Sequence, residues 1–306
     1  MLCVKDGNYK SQQNTIVMLG KFDGIHKGHR KLFEAAADIR QKENLPIVVF
    51  SFKVADGLHY DYMDGRHITT FPEREIMFER LGADVFIEYP FDDAVAGMEP
   101  LKFIEDIIHN MLNASYVVVG DDWTFGRGGE GNCDLLKASQ KLFNFTAVIM
   151  EKELYDGREI CSTWIREEMS KGNMENANIL LGYPFTIIGE VVHGNEFGRT
   201  MGFPTANIIP PEDKLLSPNG VYASKIIIDG TEYCGVTNVG VKPTVEADGP
   251  LTVETFIIDF YDDIYGKTIE VQLIHFQRPE MKFADSEMLK KQLSQDIEFA
   301  KSYFLL

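Results

Sequence analysis

The sequence predicts an α/β fold: an N-terminal domain with a parallel sheet over residues 1–182, then a small antiparallel β-barrel with a C-terminal helix over residues 183–306. Apolar, strand-like runs alternate with helical patterns through the first half, which is typical of a parallel sheet covered by helices on both faces. After Gly182-Tyr-Pro184 the helical patterns stop, and short strands separated by turn residues follow. The length of 306 residues is also enough for about two domains.

The first half contains predicted strands at Thr15–Leu19, Pro46–Phe52, Asp84–Tyr89, Ser115–Val119 and Phe145–Met150. The predicted helices are Arg30–Gln41, Phe71–Leu81, Pro100–Leu112, Leu135–Leu142 and a last one that starts near Ser162 and runs to Leu181. Lys53 to Arg66 is polar and rich in Gly and Asp, so we expect a loop there. The first helix lies between two apolar strands, which predicts a right-handed β-α-β unit.

The second half contains predicted strands at Phe185–Val192, Val221–Ile228, Thr231–Thr237, Thr252–Asp259 and Ile269–Phe276. Asp229-Gly230 lies between two apolar runs and predicts a tight hairpin. Apolar residues recur at helical spacing from Asp285 to Phe304, which predicts one helix packed on the barrel.

Composition and charge exclude several classes of protein. Apolar residues make up 44% of the chain and charged residues 25%, which is ordinary for a globular protein that buries a sizeable core. The net charge of −17 argues against binding to nucleic acid or to a membrane surface. The four cysteines lack metal-site or disulfide spacing, and the N-terminus lacks an apolar leader, so we expect a cytoplasmic protein. The sequence does not indicate an oligomeric state.

The stretch Gly20-Lys-Phe-Asp-Gly-Ile-His-Lys-Gly-His29 lies between the first strand and the first helix. Its glycines let main-chain N–H groups approach an anion, and the N-terminal end of the following helix attracts negative charge. His26 and His29 can both face that spot and stabilise the charge of a phosphoryl transition state. Two alternatives are a histidine pair on the shoulder of a helix and, less favoured, a zinc site.

Two further loops follow predicted strands or precede a helix. Gly120-Asp-Asp-Trp-Thr-Phe-Gly-Arg-Gly-Gly129 lies at the carboxyl end of a strand, where ligands of open α/β sheets bind; a glycine-rich surface turn is the less favoured alternative. Ser162-Thr-Trp-Ile-Arg166 could cap the next helix or bind phosphate. Nearby, Glu168-Met-Ser-Lys-Gly172 is similar to a signature of class I aminoacyl-tRNA synthetases, but we interpret it as an exposed helix surface.

In the second half, Thr205 and Asn207 occupy alternate positions of an extended segment, so their side chains are expected on one side. Neutral oxygen ligands of this kind suit Mg²⁺ or another divalent cation, although a polar-faced strand is the structural alternative.

Three motifs of the first half, in order and at plausible spacing, resemble the FMN adenylyltransferase domain of prokaryotic bifunctional riboflavin kinase/FAD synthetases. They are the H-x-G-H loop, the Gly-Asp-Asp-Trp-Thr-Phe-Gly-Arg loop, and Ser-Thr-x-Ile-Arg before a helix. The H-x-G-H loop is similar to that of class I nucleotidyltransferases, which have a Rossmann-like fold. The resemblance implies an ATP site made of Gly20, Phe22, Asp23, Gly24, His26, His29, Ser162, Thr163 and Arg166. It also implies an active-site loop near the flavin that contains Asp122, Phe125 and Gly126.

The second half resembles riboflavin kinase more closely, through Gly198-Arg-Thr-Met-Gly-Phe-Pro-Thr-Ala-Asn207 and Asn238-Val-Gly-Val-Lys-Pro-Thr244. Asp263-Ile-Tyr-Gly266 and Arg278 before Met281-Lys-Phe283 also match the motifs of that family. The resemblance implies that Glu254 is the catalytic base and that Arg278 binds the flavin. It implies an ATP site made of Gly198, Arg199, Gly202, Thr205 and Asn207, with Thr205 and Asn207 also at Mg²⁺.

The expected function is therefore phosphorylation of riboflavin by ATP to FMN, followed by adenylyl transfer from ATP to FMN, which gives FAD and pyrophosphate. One departure from the family is Phe52-Lys-Val-Ala-Asp-Gly57, which lacks the usual Pro-His-Pro-like segment, and another is Trp123 in place of Phe. They leave open a protein that is only a riboflavin kinase, and a non-catalytic flavin or nucleotide sensor is a further alternative.

Overall fold

The structure, a computed structural model, describes residues 1–54, 65–194, 202–241 and 251–306. It divides into two compact units, one made of Met1–Gly65 and Thr69–Cys161 and the other of Arg66–Ile68 and Ser162–Leu306. The domain bounds 1–182 and 183–306 rest on the change from helical to strand patterns after Gly182 and stay a prediction. The bounds of the helices and strands follow unit by unit.

The first unit is built on a parallel sheet with helices around it, which confirms the predicted α/β fold. Its strands are β1 Leu2–Val4, β2 Thr15–Leu19, β3 Ile47–Val54, β4 Val85–Phe91, β5 Ala114–Gly120 and β6 Thr146–Met150. They pair in the order β1-β4-β3-β2-β5-β6, and every neighbouring pair is parallel. A two-stranded hairpin adds β7 Leu154–Tyr155 and β8 Arg158–Glu159. The helices are α1 Lys27–Glu43, α2 Phe71–Arg80, α3 Asp93–Ala96, α4 Pro100–Phe103, a π-helix Ile104–Met111, a 3₁₀ turn Arg127–Gly129 and α5 Cys133–Phe143.

Both faces of this sheet are buried, which explains why its strands are continuous apolar runs. Along β2, Val17 and Leu19 belong to one apolar cluster, whereas Ile16 and Met18 belong to the cluster on the opposite face. Successive side chains of a strand point to opposite faces, so most positions of a strand covered on both sides are apolar.

Three features of the first unit differ from the sequence prediction or refine it. The short strand β1 was not predicted, and it pairs with β4 at the edge of the sheet. The predicted helix Pro100–Leu112 is α-helical only over its first turn and continues as the π-helix, whose wider turns end with Leu112 N–H donating to the carbonyl of Ile107. The predicted helix Phe71–Leu81 begins at Phe71 after a capping box formed by Thr70 and Glu73.

The second unit contains the predicted antiparallel barrel and its C-terminal helix. Its helices are α6 Ser162–Ser170, α7 Met174–Leu181 and α8 Ser286–Phe304. Its strands are β9 Phe185–Glu190, β10 Thr205–Ile208, β11 Gly220–Ile228, β12 Thr231–Val241, β13 Leu251–Ile257 and β14 Thr268–Pro279. They pair in the order β10-β13-β12-β11-β14-β9, and Val192, just after β9, bridges to Asn207 of β10 and so joins the two ends of the sheet.

The single helix expected up to Leu181 is wrong, because α6 and α7 are separate helices. Gly172 lies between them with φ +74°, a left-handed conformation that ends the first helix. Glu168, which we expected on an exposed surface, is buried and accepts hydrogen bonds from Lys171, Asn173 and Asn176. Its carboxylate therefore organises the turn between the two helices.

Candidate active sites

The strand order of the parallel sheet brings two predicted site loops together. The chain winds from β2 outward to β4 on one side and, through β5, to β6 on the other, so the order reverses between β2 and β5. The H-x-G-H loop follows β2, and the loop containing Asp122 follows β5. Ligands of open α/β sheets bind at such a reversal, beyond the carboxyl ends of the two strands.

His26 and His29 form a stacked pair at the start of α1. Their ring centroids are 3.8 Å apart, with 25° between the ring planes. His26 is 7% exposed, and neither Nδ1 atom has a hydrogen-bond partner among the described residues. A buried imidazole nitrogen without a partner is uncommon in folded proteins and is free to bind a ligand.

Burial decides the charge of this pair. It lowers the pKa of His26 to about 4, although the nearby carboxylates Asp23 and Asp122 raise it in part. Burial also lowers the pKa of His29 well below its usual value, and a charge on His26 would lower it further. Both rings are therefore neutral near pH 7, and each has one N–H to donate to an oxyanion.

The residues of the turn before His26 point inward. Phe22 is fully buried, with its ring 5.6 Å from that of Phe78 and 5.2 Å from that of His29. Asp23 is 2% exposed and accepts a hydrogen bond from the N–H of Thr69. A Cβ on Gly20 would lie 3.3 Å from the ring of Phe22. The buried side chains of Phe22 and Asp23 thus support the turn from the protein interior.

The loop after β5 exposes one of its three predicted site residues and buries another. Asp122 is exposed, and its Oδ2 lies 3.2 Å from Nζ of Lys152, which follows β6. Phe125 is 5% exposed and belongs to the apolar cluster beneath the loop. Gly126 has φ +73°, and a Cβ there would lie 2.8 Å from the Cα of Pro100. Phe125 and Gly126 therefore anchor the loop, and Asp122 is its solvent-facing carboxylate.

The Ser-Thr-x-Ile-Arg motif belongs to the second unit. Ser162 and Thr163 are the first residues of α6, and Arg166 lies one turn later. The guanidinium of Arg166 donates a 2.6 Å hydrogen bond from Nη2 to the carbonyl of Arg66. The role of these residues in the ATP site stays a prediction.

In the barrel, strand register aligns Glu254 with two amides. Asn207 of β10 and Asn238 of β12 both lie opposite Glu254 of β13. Directly opposed residues of antiparallel strands project to the same face, so the three side chains form one polar row. Glu254 is partly exposed, so a substrate hydroxyl can reach it.

Asn207 has the features expected of a cation ligand. It is 5% exposed, and its Oδ1 has no hydrogen-bond partner in the described part of the chain, while Nδ2 donates to the carbonyl of Thr205 at 3.1 Å. The Thr205 hydroxyl lies 3.4 Å from the same Nδ2. A Cβ on Gly194 would lie 2.5 Å from that nitrogen, so the main chain packs tightly against the amide. The buried, unpaired carbonyl oxygen beside a hydroxyl fits Mg²⁺, which prefers oxygen ligands.

The remaining predicted kinase residues lie in different surroundings. Gly198 and Arg199 lie outside the described residues, and Gly202 has φ +89° in a turn. Arg278 makes a two-pronged ion pair with Asp296 of α8, with Nε at 2.9 Å from Oδ1 and Nη2 at 2.6 Å from Oδ2. Its flavin-binding role stays a prediction, and Asp296 is the residue that orients it.

Sequence reasoning missed four neighbours of these sites. They are Thr69, Lys152, Asn238 and Asp296. Of these, Asn238 had a usable signal, because it opens a quoted motif of the barrel. The other three lie far along the chain from the residues they contact, so only the folded chain identifies them.

Comparison with known proteins assigns both halves of the chain. A family model described as riboflavin kinase matches residues 181–304, and one described as FAD synthetase matches residues 8–164. A Listeria monocytogenes protein is 34% identical over 95% of this chain and 93% of its own length, and an Escherichia coli K12 protein is 35% identical over 96% and 94%. Both are named bifunctional riboflavin kinase/FMN adenylyltransferase.

A solved structure gives the same overall match. The crystal structure of a Streptococcus pneumoniae protein described as a macrolide-efflux protein superimposes with a TM-score of 0.86 at 32% identity, over 98% of this chain and 99% of that one. Within the described part of this chain, every helix is too short or too polar to cross a bilayer.

Proposed function

Because the chain belongs to the family of bifunctional riboflavin kinase/FMN adenylyltransferases, we propose that each half carries one of its two active sites. The enzyme phosphorylates riboflavin with ATP to give FMN, and it transfers AMP from ATP to FMN to give FAD and pyrophosphate. Relatives that are named as bifunctional align with nearly the whole length of this chain. A protein with kinase activity alone and a non-catalytic sensor are therefore both disfavoured.

In the kinase half, Glu254 is the proposed general base. The primary hydroxyl of riboflavin attacks the γ-phosphorus of ATP, the bond to ADP breaks, and Glu254 takes the hydroxyl proton. The observation that carries this assignment is the polar row of Asn207, Glu254 and Asn238, which leaves the carboxylate accessible between two amides. These amides can hold the carboxylate in place through the reaction.

A divalent cation, Mg²⁺ or another, is the proposed cofactor of this half. Thr205 and Asn207 would hold it through their side-chain oxygens, and the unpaired Oδ1 of Asn207 supports that role. When bound, the cation supplies positive charge to the phosphates of ATP. Gly198, Arg199 and Gly202 are proposed to contact the same phosphates, and Arg278 is proposed to contact the flavin.

In the adenylyltransferase half, an oxygen of the FMN phosphate attacks the α-phosphorus of ATP, and the bond to pyrophosphate breaks. His26 and His29 are proposed to donate hydrogen bonds to the phosphate oxygens as charge develops, with Gly20, Phe22, Asp23 and Gly24 shaping the site. Ser162, Thr163 and Arg166 are proposed to bind the leaving pyrophosphate. Asp122 and its loop, with Phe125 and Gly126, are proposed to lie near the flavin phosphate.

We also propose a cytoplasmic location and no nucleic-acid partner. Four free cysteines fit a reducing compartment, and the net charge of −17 disfavours a polyanionic partner.

The variant Glu254→Gln tests the kinase assignment. We expect kcat for FMN formation to fall at least about a hundredfold, because the amide cannot accept the proton. FAD formation from added FMN should be unchanged. Both are measured by chromatography of the flavins with MgATP in excess.

Glu232→Gln is the control, because Glu232 is an exposed residue of β12 whose ion pair with Lys225 contributes little to stability. Equal rates of FMN formation by Glu254→Gln and Glu232→Gln would show that Glu254 is not the general base. In the same assay, Asn207→Leu should raise the Mg²⁺ concentration that gives half-maximal FMN formation, and an unchanged Mg²⁺ dependence would contradict the cation site.

A further inference from the structure

The turn Lys21–Ile25, which leads into His26, has an unusual main-chain conformation. Phe22 has φ 52° and Ile25 has φ 38°, and between them Gly24 has φ 82°. Residues with a Cβ are disfavoured in this left-handed region, so such a turn persists only where its surroundings hold it. Phe22 and Ile25 are also fully buried, which prevents them from relaxing into solvent.

The segment that leads into α2 supplies the groups that hold the turn. The hydroxyl of Thr69 accepts a 2.9 Å hydrogen bond from the N–H of Gly24, and the N–H of Thr69 donates to Oδ1 of Asp23 at 3.3 Å. One turn into the helix, Nη1 of Arg74 lies 3.4 Å from the carbonyl oxygen of Lys21. Hydrogen bonds from Thr69 and Arg74 therefore hold three of the five residues of the turn, although the partners are 45 to 53 positions apart in the chain.

The guanidinium of Arg74 is itself fixed from the sheet. Its Nη2 donates to Oε1 of Glu88 at 2.7 Å, and its Nη1 lies 3.4 Å from the hydroxyl of Ser51. Ser51 of β3 and Glu88 of β4 are partners in the strand register. Arg74 is 5% exposed and Glu88 6%, so water does not compete for this ion pair.

We propose that Thr69 and Arg74 are positioning residues for adenylyl transfer, which hold the Lys21–Ile25 turn so that His26, His29 and the start of α1 meet the phosphates of ATP in a fixed geometry. The inference rests on the proposed role of the two histidines. Neither Thr69 nor Arg74 needs to touch the substrate, since each acts through the main chain of the turn. Misplacement of catalytic groups by about 1 Å can cost about a hundredfold in rate, so a loosened turn has a measurable cost.

The test is Thr69→Val, which keeps the shape of the side chain and removes the hydroxyl. Thr15→Val is its matched control, because Thr15 is a fully buried threonine of the same unit whose hydroxyl also makes hydrogen bonds, to the carbonyls of Leu112 at 2.7 Å and Asn113 at 3.5 Å. Thr15 lies at the opposite end of β2 from the H-x-G-H loop. Both variants should lose similar thermal stability.

We expect Thr69→Val to lower kcat for FAD formation from FMN by about tenfold to a hundredfold, whereas Thr15→Val should stay within about twofold of the wild type, as an effect limited to stability requires. FMN formation from riboflavin should be unchanged in both variants, because the proposed kinase site lies in the other unit, and the melting temperature reports whether the first unit is folded. Thr69→Ser keeps the hydroxyl and should restore FAD formation. A rate for Thr69→Val equal to that of Thr15→Val would overturn the inference, as would a failure of Thr69→Ser to restore it.

Arg74→Lys provides an independent measurement, and it carries the test if Thr69→Val does not fold. Lysine can pair with Glu88 but lacks the fork that also reaches the Lys21 carbonyl, so kcat for FAD formation should fall while FMN formation is kept. Unchanged FAD formation in Arg74→Lys, or equal loss of both activities, would contradict the inference. Absence of FAD formation by the wild-type enzyme would instead contradict the proposed function, so the two failures are distinguishable.

Discussion

At His26, burial lowers the imidazole pKa to about 4, whereas a solvated histidine titrates near its ordinary value of 6.5. The ring is stacked on that of His29, whose pKa burial also lowers. Two neutral rings can pack face to face without repulsion, and each retains a nitrogen for the substrate. The proposed phosphate site is therefore maintained by the exclusion of water, which also makes it sensitive to acid.

This burial predicts a pH dependence of stability. Between pH 6.5 and 4 the unfolded chain binds a proton at His26 and the folded chain does not, so the free energy of unfolding should decrease as the pH falls through that range. The contribution of His26 is at most about 3 kcal/mol. His26→Asn should show a shallower loss of stability between pH 7 and pH 5, measured by urea unfolding of the full chain.

His109→Asn is the control for this measurement, because His109 is exposed. That variant should lose stability with falling pH as steeply as the wild type does. Parallel curves for His26→Asn and the wild type would show that His26 is not buried in the neutral form.

At the scale of elements, strand pairing positions the kinase site. The β10–β13 register aligns Asn207 with Glu254, and Val192 joins the end of β9 to β10 through the same Asn207. Asn207 is therefore both the residue at which the two ends of the sheet meet, here called the seam of the barrel, and the proposed cation ligand. Close approach of the two strands at this seam depends on Gly189 of β9, because a Cβ there would overlap the side chain of Ile208 on β10.

Gly189→Ala should therefore destabilise the barrel and lower kinase activity. Gly189 does not have a left-handed conformation, so the expected cost of about 1–3 kcal/mol comes from overpacking alone. Urea unfolding and FMN formation measure the two effects. The double variant Gly189→Ala with Ile208→Ala makes room for the new methyl group and should be more stable than the sum of the single effects predicts. Strict additivity would indicate that the methyl group added at Gly189 does not press against Ile208.

At the scale of the whole molecule, the two proposed sites are built on different kinds of secondary structure. The histidine pair lies at the switch point of a parallel sheet, whereas Glu254 lies on a face of an antiparallel barrel. The two compact units contain their own apolar cores, so loss of one site is not expected to unfold the other.

His29→Ala tests this independence. It should abolish FAD formation, because one of the two proposed phosphate donors is lost, and it should leave FMN formation from riboflavin within about twofold of the wild type. Both activities are measured in one assay that starts from riboflavin and in a second that starts from FMN. Equal loss of FMN and FAD formation would contradict two independent sites.

Much of the fold was readable from the sequence because its elements have strong local signals. The strand Thr15–Leu19 was predicted with its observed bounds, since four consecutive apolar residues after a threonine indicate a strand buried on both faces. Local signals failed where the outcome depends on distant packing. The three-residue strand β1 exists because β4 pairs with it, and α6 and α7 separate at a glycine that helical periodicity alone does not reveal.

By itself the sequence determined the two-part architecture and the candidate chemical groups, because apolar periodicity, glycine loops and long motifs are local properties of the chain. Only the tertiary structure decided how those groups are used. It stacked His26 on His29 as a neutral pair, aligned Glu254 between Asn207 and Asn238, and brought Thr69 to the turn before His26. Proton affinity and orientation depend on neighbours that are distant in sequence, and these neighbours are set by the packing of the whole fold.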